Sequence, residues 1–275
     1  MNKWLWVTLS LFCGLVLTLS VLCAVYIDNK NVQYQVFRPK TPEQGEIGIK
    51  IMHLSDLHFP TVKVNVDKLV ARIFAEQPDI IAITGDIVST NSNMATCGVF
   101  QFIDRITPIA PVYYVNGNHE ADNSQQDTLY DYLESAGVVF LQDQSVTLTF
   151  NGRKVTIVGL LDNADYNESC LTSDIEDSYI VLLAHRPKKW ISYVSNPDAE
   201  APNLVLTGHV HGGQFRIFGQ GLISPSREFF PKYDAGLYNS KNEKGSQMIL
   251  SRGIGASVAA FPRFNNKPHV PIIMV

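Results

Sequence analysis

The chain has 275 residues, of which 45% are hydrophobic and 17% charged, and its formal net charge is −4. This composition excludes a mainly disordered chain and fits one large folded domain or two small ones. The negative net charge, without any sustained basic run, argues against a protein that binds nucleic acid by neutralising its phosphates.

The first predicted element is an uncharged apolar segment from Trp4 to Ile27, WLWVTLSLFCGLVLTLSVLCAVYI. This segment is long enough for a membrane-spanning helix. A cleaved signal peptide is the alternative, but the segment is longer than a usual h-region and has no clear Ala-x-Ala cleavage site. We therefore interpret residues 1–27 as a retained, single-pass membrane anchor.

The charges that flank this segment bear on the orientation of the anchor. Lys3 and the amino terminus favour an N-terminus inside the cytoplasm, whereas Lys30, Arg38 and Lys40 favour the opposite orientation. We expect the body of the chain to lie outside the cytoplasm, with the cytoplasmic face as the alternative. The sequence gives no indication of an oligomeric state.

Residues 28–47 are polar, contain two prolines and show no apolar period, which predicts a linker. The catalytic domain is then expected to span residues 48–275. Its first half alternates strand and helix patterns: IKIMHLS, VDKLVARIFAEQ, DIIAITG, a helix around residues 97–106, PVYYVNG and a helix around residues 127–136. Its second half places strands at short intervals: VVFLQ, SVTLTF, KVTIVGL, YIVLLAH, NLVLTGH, QMILSRG and VPIIMV. This order predicts an α/β fold in which two sheets pack together beneath helices.

Acidic, amide and imidazole side chains directly follow five of these strands. They are Asp56 and His58, Asp86, Asn118 and His119, His185, and His209 and His211. Each group taken alone is typical of a turn or a hydrogen-bonded strand end. Because ligands bind at the carboxyl ends of strands in such sheets, the joint pattern predicts that all five segments meet in one crevice.

Imidazole and carboxylate ligands together suit zinc, iron or manganese. A carboxylate that two ions share holds them about 3.5–4 Å apart, an arrangement that serves phosphoryl displacement. The histidine pair of TGHVHGGQF can serve both ions, since alternate residues of an extended segment point to opposite sides. The sequence therefore favours a two-metal site.

The motifs DLH, GD, GNHE, a strand-end histidine and GHVH, in this order, resemble the calcineurin-like metallophosphoesterase family. The resemblance implies a four-layer α/β/β/α sandwich, preceded here by the transmembrane helix. It also implies that one metal is bound by Asp56, His58 and His211, the other by Asn118, His185 and His209, and that Asp86 bridges the two. His119 would contact the scissile phosphate and act as a general acid.

The GHVHGGQ motif, the tail RGIGASVAAFPRFNNKP and the anchor resemble the bacterial membrane-associated YkuE/YaeI-like branch, to which UDP-2,3-diacylglucosamine pyrophosphatases are related. The resemblance implies two divalent cations, manganese first and zinc or iron as alternatives. It also implies hydrolysis of a phosphodiester or pyrophosphate bond, in a lipid-linked substrate, by a hydroxide that bridges the metals. A phosphoesterase acting on soluble or protein phosphoesters, or a non-catalytic scaffold, is the alternative.

The irregular segment that follows the last histidines mixes aromatic residues with Arg216, Arg227 and Lys232. We expect these cations to bind the substrate phosphate near the bilayer, and a capping loop is the alternative. Arg252 and Arg263 are further candidate cations. His53 is interpreted as a strand residue.

Overall fold

The computed structural model describes residues 3–41, 45, 47–172, 175–225, 227–255 and 263–275. The helices in these ranges are Lys3–Lys30 (α1), Val66–Glu76 (α2), Val99–Ile106 (α3), Asn118–Ala121 (α4), Gln126–Ser135 (α5) and Trp190–Ser195 (α6). The strands are Gln33–Phe37 (β1), Lys50–Leu54 (β2), Ile80–Thr84 (β3), Val112–Val115 (β4), Val139–Phe140 (β5), Gln144–Phe150 (β6), Arg153–Gly159 (β7), Tyr179–Leu183 (β8), Leu204–Thr207 (β9), Arg216–Ile217 (β10), Gln220–Gly221 (β11), Gly236–Asn239 (β12), Gln247–Leu250 (β13) and His269–Met274 (β14).

Twelve of these strands form two six-stranded sheets. The first sheet has the order β1-β14-β2-β3-β4-β5 and the second β12-β13-β9-β8-β7-β6. Strands β2 to β5 are parallel to one another, and so are β7, β8, β9 and β13. The strands that precede the polar motifs, β2, β3, β4, β8 and β9, therefore all end at the same end of the sandwich, which we call the carboxyl edge.

Three buried apolar clusters separate four layers. Alternate residues of β2 show the principle, because Ile51 faces the cluster between the sheets and Met52 the cluster beneath α2, α3 and α5. Trp190 of α6 belongs to a third cluster on the outer face of the second sheet. The predicted α/β/β/α sandwich is confirmed.

The segment predicted as a linker contains a strand of the first sheet. Strand β1 pairs in parallel with β14, from Gln33 opposite His269 to Phe37 opposite Ile273. The folded domain therefore begins before Gly48, the predicted boundary. An edge strand is half exposed, and of the five residues of β1 only Phe37 is buried, so the sequence carries no apolar period there.

Helix α1 matches the predicted anchor and extends it to Lys30. Its stretch Lys3–Ile27 is long and apolar enough to cross a membrane, with a mean hydropathy of 2.3, and is not buried against the domain. Asn29, near its end, packs on the domain through a pair of hydrogen bonds: its Nδ2 donates to the Arg263 carbonyl (2.9 Å), and the Arg263 amide donates to its Oδ1 (3.1 Å).

The segment after the last histidines, predicted as irregular, forms the short antiparallel hairpin β10–β11. Its amide at Arg216 donates to the Phe264 carbonyl (3.1 Å), which ties the hairpin to the residue after Arg263. Cys97 and Cys170 are free and buried.

Candidate metal centre

The five predicted segments meet at the carboxyl edge. The two sheets are joined there by the His185 imidazole, whose Nδ1 lies 2.8 Å from the carbonyl oxygen of Thr84 at the end of β3. Since a carbonyl only accepts, this Nδ1 carries the proton and the Nε2 lone pair faces the crevice. A metal-binding tautomer of His185 is thus fixed by the backbone of the opposite sheet.

One group of donor atoms consists of Asp56, His58 and His211, all buried, with donor atoms within 4.8 Å of one another. The Nε2 atoms of His58 and His211 are 3.1 Å apart, and His211 Nε2 lies 3.4 Å from Asp56 Oδ1. The Asp56 carboxylate is oriented by the Ser55 hydroxyl (2.6 Å) and by the His209 amide (3.0 Å). Three side-chain atoms of metal-binding residue types therefore converge on one point.

A second group consists of Asp86, His185 and His209, again within 4.8 Å. His209 Nδ1 lies 3.1 Å from His185 Nε2, and Asn118 Oδ1 lies 3.2 Å from the same Nε2. His209 and His211, two residues apart, thus belong to different groups, in agreement with the proposed division of the His-x-His pair.

Asp86 lies between the two groups. Its Oδ2 is 3.3 Å from His185 Nε2 and 3.9 Å from His58 Nε2. Its Oδ1 accepts the amide of His119 (2.9 Å). A carboxylate with one group on either side is the geometry that a bridging ligand requires.

Burial and neighbouring charges shift the pKa values of the histidines in these two groups. Burial lowers the pKa of His58 and of His209 to about 3, so both imidazoles are neutral and keep a free lone pair. Burial also lowers the pKa of His185, but the charge of Asp86 and a hydrogen bond to it raise this pKa to about 10. Asp86 thus favours a positive charge beside His185 Nε2. A bound cation would supply this charge in place of the second proton of the His185 ring.

Five of the seven predicted ligands have a left-handed backbone. They are Asp56 (φ 52°), His58 (φ 54°), Asp86 (φ 53°), His209 (φ 74°) and His211 (φ 48°). Such conformations are costly for residues with a side chain and cluster at functional sites. The backbone also approaches closely at Gly117, where a Cβ would collide with the Asp86 carboxylate. This glycine lets the loop that carries Asn118 and His119 lie against Asp86.

His119 is held in the tautomer that donates a hydrogen bond through Nε2. The Thr90 amide donates to its Nδ1 (3.1 Å), and the Thr90 hydroxyl lies 3.0 Å from the same atom. Because Nδ1 accepts, the proton of the neutral ring is on Nε2, which lies 3.9 Å from Asp86 Oδ2. His119 is the more exposed partner of this pair, with 21% of its side chain accessible.

Glu120, to which no role was assigned from the sequence, organises the loops behind the ligands. It is fully buried, and its carboxylate accepts the amides of Gly117 (2.7 Å), Asp86 (2.8 Å) and Val88 (3.0 Å). Burial raises its pKa to about 7, and the charge of Asp86 adds to the effect. Glu120 therefore fixes the Asp86 loop and the Asn118 loop relative to each other.

The candidate substrate cations lie in different environments. Arg227 and Lys232 are exposed, whereas Arg216 forms an ion pair with Asp234 (3.1 Å) and donates to the Gly212 carbonyl (2.8 Å). Arg263, a further candidate for contacting substrate, is instead fully buried. Its Nη2 donates to the Arg252 carbonyl (2.7 Å) and lies 3.2 Å from His211 Nδ1. His53 is a buried strand residue bonded to Thr84 Oγ1 (2.7 Å), as predicted.

The family model described as calcineurin-like phosphoesterase matches residues 49–213, which include both donor groups. The chain belongs to this family. Calcineurin-like phosphoesterases bind a dinuclear divalent metal site, and the two donor groups found here have the composition that such a site needs.

Relatives of this calcineurin-like phosphoesterase include two bacterial proteins. The uncharacterized metallophosphoesterase YkoQ of Bacillus subtilis is 31% identical over 173 residues, which cover 60% of this chain and 62% of YkoQ. The phosphodiesterase YaeI of Escherichia coli is 26% identical over 231 residues, which cover 82% of this chain and 81% of YaeI. The predicted resemblance to the YkuE/YaeI-like branch is confirmed.

A solved structure shares the fold. The NAD nucleotidase NadN of Haemophilus influenzae aligns with a TM-score of 0.52 and 16% identity, over 76% of this chain and 46% of NadN. The chain therefore spans less than two thirds of the length of both YkoQ and NadN.

Proposed function

We propose that this chain is a membrane-tethered, dinuclear metal-dependent phosphoesterase that hydrolyses a phosphodiester or pyrophosphate bond. The observation that carries the proposal is the position of Asp86 between the two donor groups, with the Nε2–H of His119 beside it. Neutral imidazoles, carboxylates and one amide oxygen suit manganese, with zinc and iron as alternatives.

Asp56, His58 and His211 would hold one divalent cation, and Asn118, His185 and His209 would hold a second. Bound there, the two cations would supply Lewis acidity to the phosphoryl oxygens and to the attacking water. Asp86 reaches both groups. His119 is proposed to stabilise negative charge on the leaving oxygen by a hydrogen bond from its Nε2–H, and Thr90 keeps that hydrogen on Nε2 by donating to Nδ1.

We expect hydrolysis to require the cations. The full-length chain in detergent micelles, stripped with a chelator, loses turnover of bis-p-nitrophenyl phosphate because the attacking water is then no longer activated. Manganese restores turnover, and elemental analysis finds two ions per chain. Binding of two ions without turnover of any diester or pyrophosphate would instead support a scaffold.

The substrate is proposed to be lipid-linked, with Arg227 and Lys232 contacting its phosphate. Both cations are exposed in the segment that follows the metal ligands, and Phe229 and Phe230 lie between them in sequence with 69% and 58% of their surface accessible. Arg216 is proposed to support this segment, since its guanidinium already binds Asp234.

Charge reversal tests this assignment. We expect Arg227→Glu with Lys232→Glu to raise the KM for an anionic lipid pyrophosphate by about tenfold, since two charge-assisted contacts are lost. The same variant keeps its kcat on the lipid substrate, because neither cation belongs to the donor groups of the metal centre. An unchanged KM on the lipid substrate in vesicles would remove both cations from the substrate site.

The domain is proposed to lie outside the cytoplasm, because Lys3 and the amino terminus precede the apolar segment. Protease added to intact spheroplasts then degrades the domain, and its protection there would place it on the cytoplasmic side.

A further inference from the structure

Helix α1 joins the domain at the carboxyl edge. Strand β1, which follows α1, begins at Gln33 opposite His269, and the amide of His269 donates to the carbonyl of Gly253, a residue whose backbone packs against Asp56. Asn29 is bonded to the backbone of Arg263, whose guanidinium in turn contacts His211. The anchor and the metal ligands are thus at the same end of the sandwich, so a bilayer that contains α1 faces this end.

An aromatic projection lies beside the end of α1. The β10–β11 hairpin is bonded to Phe264, next to Arg263, and its turn residue Phe218 is fully exposed. Ile217 in the same hairpin and Phe229 and Phe230 just beyond it are also largely exposed. Large apolar side chains that are clustered and solvent-exposed mark interaction sites, and aromatic rings suit the membrane–water interface. We call these four residues the aromatic patch.

A cluster of lysines lies on another side of the helix end. Lys30, Lys63 and Lys68 line a groove of about 450 Å³ together with Tyr26, and its lining contains no acidic residue among the described positions. Lys30 stacks on the Tyr26 ring, 4.6 Å from its centroid. None of the three ammonium groups forms an ion pair with a residue that the structure describes. We call these residues the lysine groove.

We propose that the carboxyl edge is itself a membrane-binding surface, in which the aromatic patch enters the interface and the lysine groove binds the phosphates of anionic lipid headgroups. This inference rests on the proposed function in one respect, namely that α1 spans the bilayer. Its consequence is that the metal centre opens against the lipid surface, where a lipid-linked phosphate is within reach without leaving the bilayer.

Photo-crosslinking tests the aromatic patch. Full-length protein is placed in nanodiscs of anionic phospholipid with Phe218 replaced by p-benzoylphenylalanine, and lipid adducts are measured by mass spectrometry. The control carries the same replacement at Phe74, which is 67% exposed on α2. Phe74 lies at the opposite end of the sandwich, two residues before Glu76, which pairs with Lys50 at the start of β2 (3.6 Å). We expect lipid adducts at position 218 and none at position 74.

Charge reversal tests the lysine groove. Lysines near an anionic surface are attracted to it, so adducts at position 218 should be on the order of tenfold more abundant in anionic than in zwitterionic nanodiscs. Lys63→Glu with Lys68→Glu should bring this ratio to about one. The matched control is Lys40→Glu with Lys241→Glu, two exposed lysines near Gln247 at the opposite end, and it keeps the ratio.

The outcomes separate this surface from the catalytic function. Metal-dependent turnover of bis-p-nitrophenyl phosphate in the same nanodiscs, without adducts at position 218, would overturn the membrane-binding surface and leave the phosphoesterase intact. Adducts without any turnover would support the surface and count against the enzyme. A chain that fails to enter nanodiscs would remove the anchor, and the surface with it.

Discussion

Asp86→Asn is expected to lower kcat for bis-p-nitrophenyl phosphate by at least about 10³-fold, equivalent to some 4 kcal/mol of transition-state stabilisation. Replacing the carboxylate by an amide removes the negative charge that faces both donor groups. In the parent protein, Asp86 Oδ2 lies 3.3 Å from His185 Nε2 and 3.9 Å from His58 Nε2. The remaining side-chain oxygen still accepts the hydrogen bond from the His119 amide, so the loop that carries Asn118 and His119 stays in position. Kinetics and elemental analysis of the full-length variant in detergent check the expectation.

The control is Asp127→Asn, which removes an exposed carboxylate in the first turn of α5 and leaves the metal centre untouched. It should retain full activity and two ions. An Asp86→Asn variant that binds two ions and turns over at the normal rate would remove the bridging role of this carboxylate.

His119→Ala is expected to lower kcat by an amount that depends on the leaving group. A hydrogen bond to the leaving oxygen contributes about 10²–10³-fold when that oxygen is basic and much less when it is a nitrophenolate. A series of aryl phosphodiesters therefore shows a steeper dependence on the leaving-group pKa for the variant than for the parent protein. Thr90→Val should give a milder effect of the same kind, because the Thr90 amide still fixes the ring when the hydroxyl is lost.

Metal content decides between two roles for His119. Its donor atom lies within 4.8 Å of those of His58 and Asp86, close enough for a shared cation. A hydrogen-bond donor can be removed without loss of metal, so His119→Ala should still bind two ions. Loss of one ion, with an equal decrease in rate for every leaving group, would make His119 a ligand and leave the leaving oxygen without an assigned hydrogen-bond donor.

The convergence of the candidate metal-binding residues was predictable because its signals are local. Each ligand directly follows an apolar strand, and parallel strands bring their carboxyl ends together whatever the loops between them do. Asp56, Asp86 and His185 are therefore placed by β2, β3 and β8, whose residues are almost all buried. The four-layer architecture was also predictable from the order of strand and helix patterns. Neighbouring residues of one strand, such as Ile51 and Met52, face different apolar clusters.

The parts that escaped prediction depend on contacts between distant residues. Glu120 follows the GNH motif, but its partners at Asp86 and Val88 lie more than 30 positions away. Arg263 reads as a surface cation in its polar surroundings, yet it is buried against His211, 52 positions earlier. Strand β1 joins the first sheet by pairing with β14, which lies at the other end of the chain. No local pattern reports such pairings.

The left-handed backbone at five ligand positions opposes the stability of the fold that carries it. A non-glycine residue held in the left-handed region lowers the free energy of unfolding by on the order of 1 kcal/mol or more. Together these five positions therefore offset an appreciable part of the roughly 5–15 kcal/mol that is typical of a folded domain. Glycine at Asp56 or His58 would relieve the conformation and remove the donor atom at once. Substitutions chosen for thermal stability alone would therefore favour glycine at these positions and remove donor atoms from this centre.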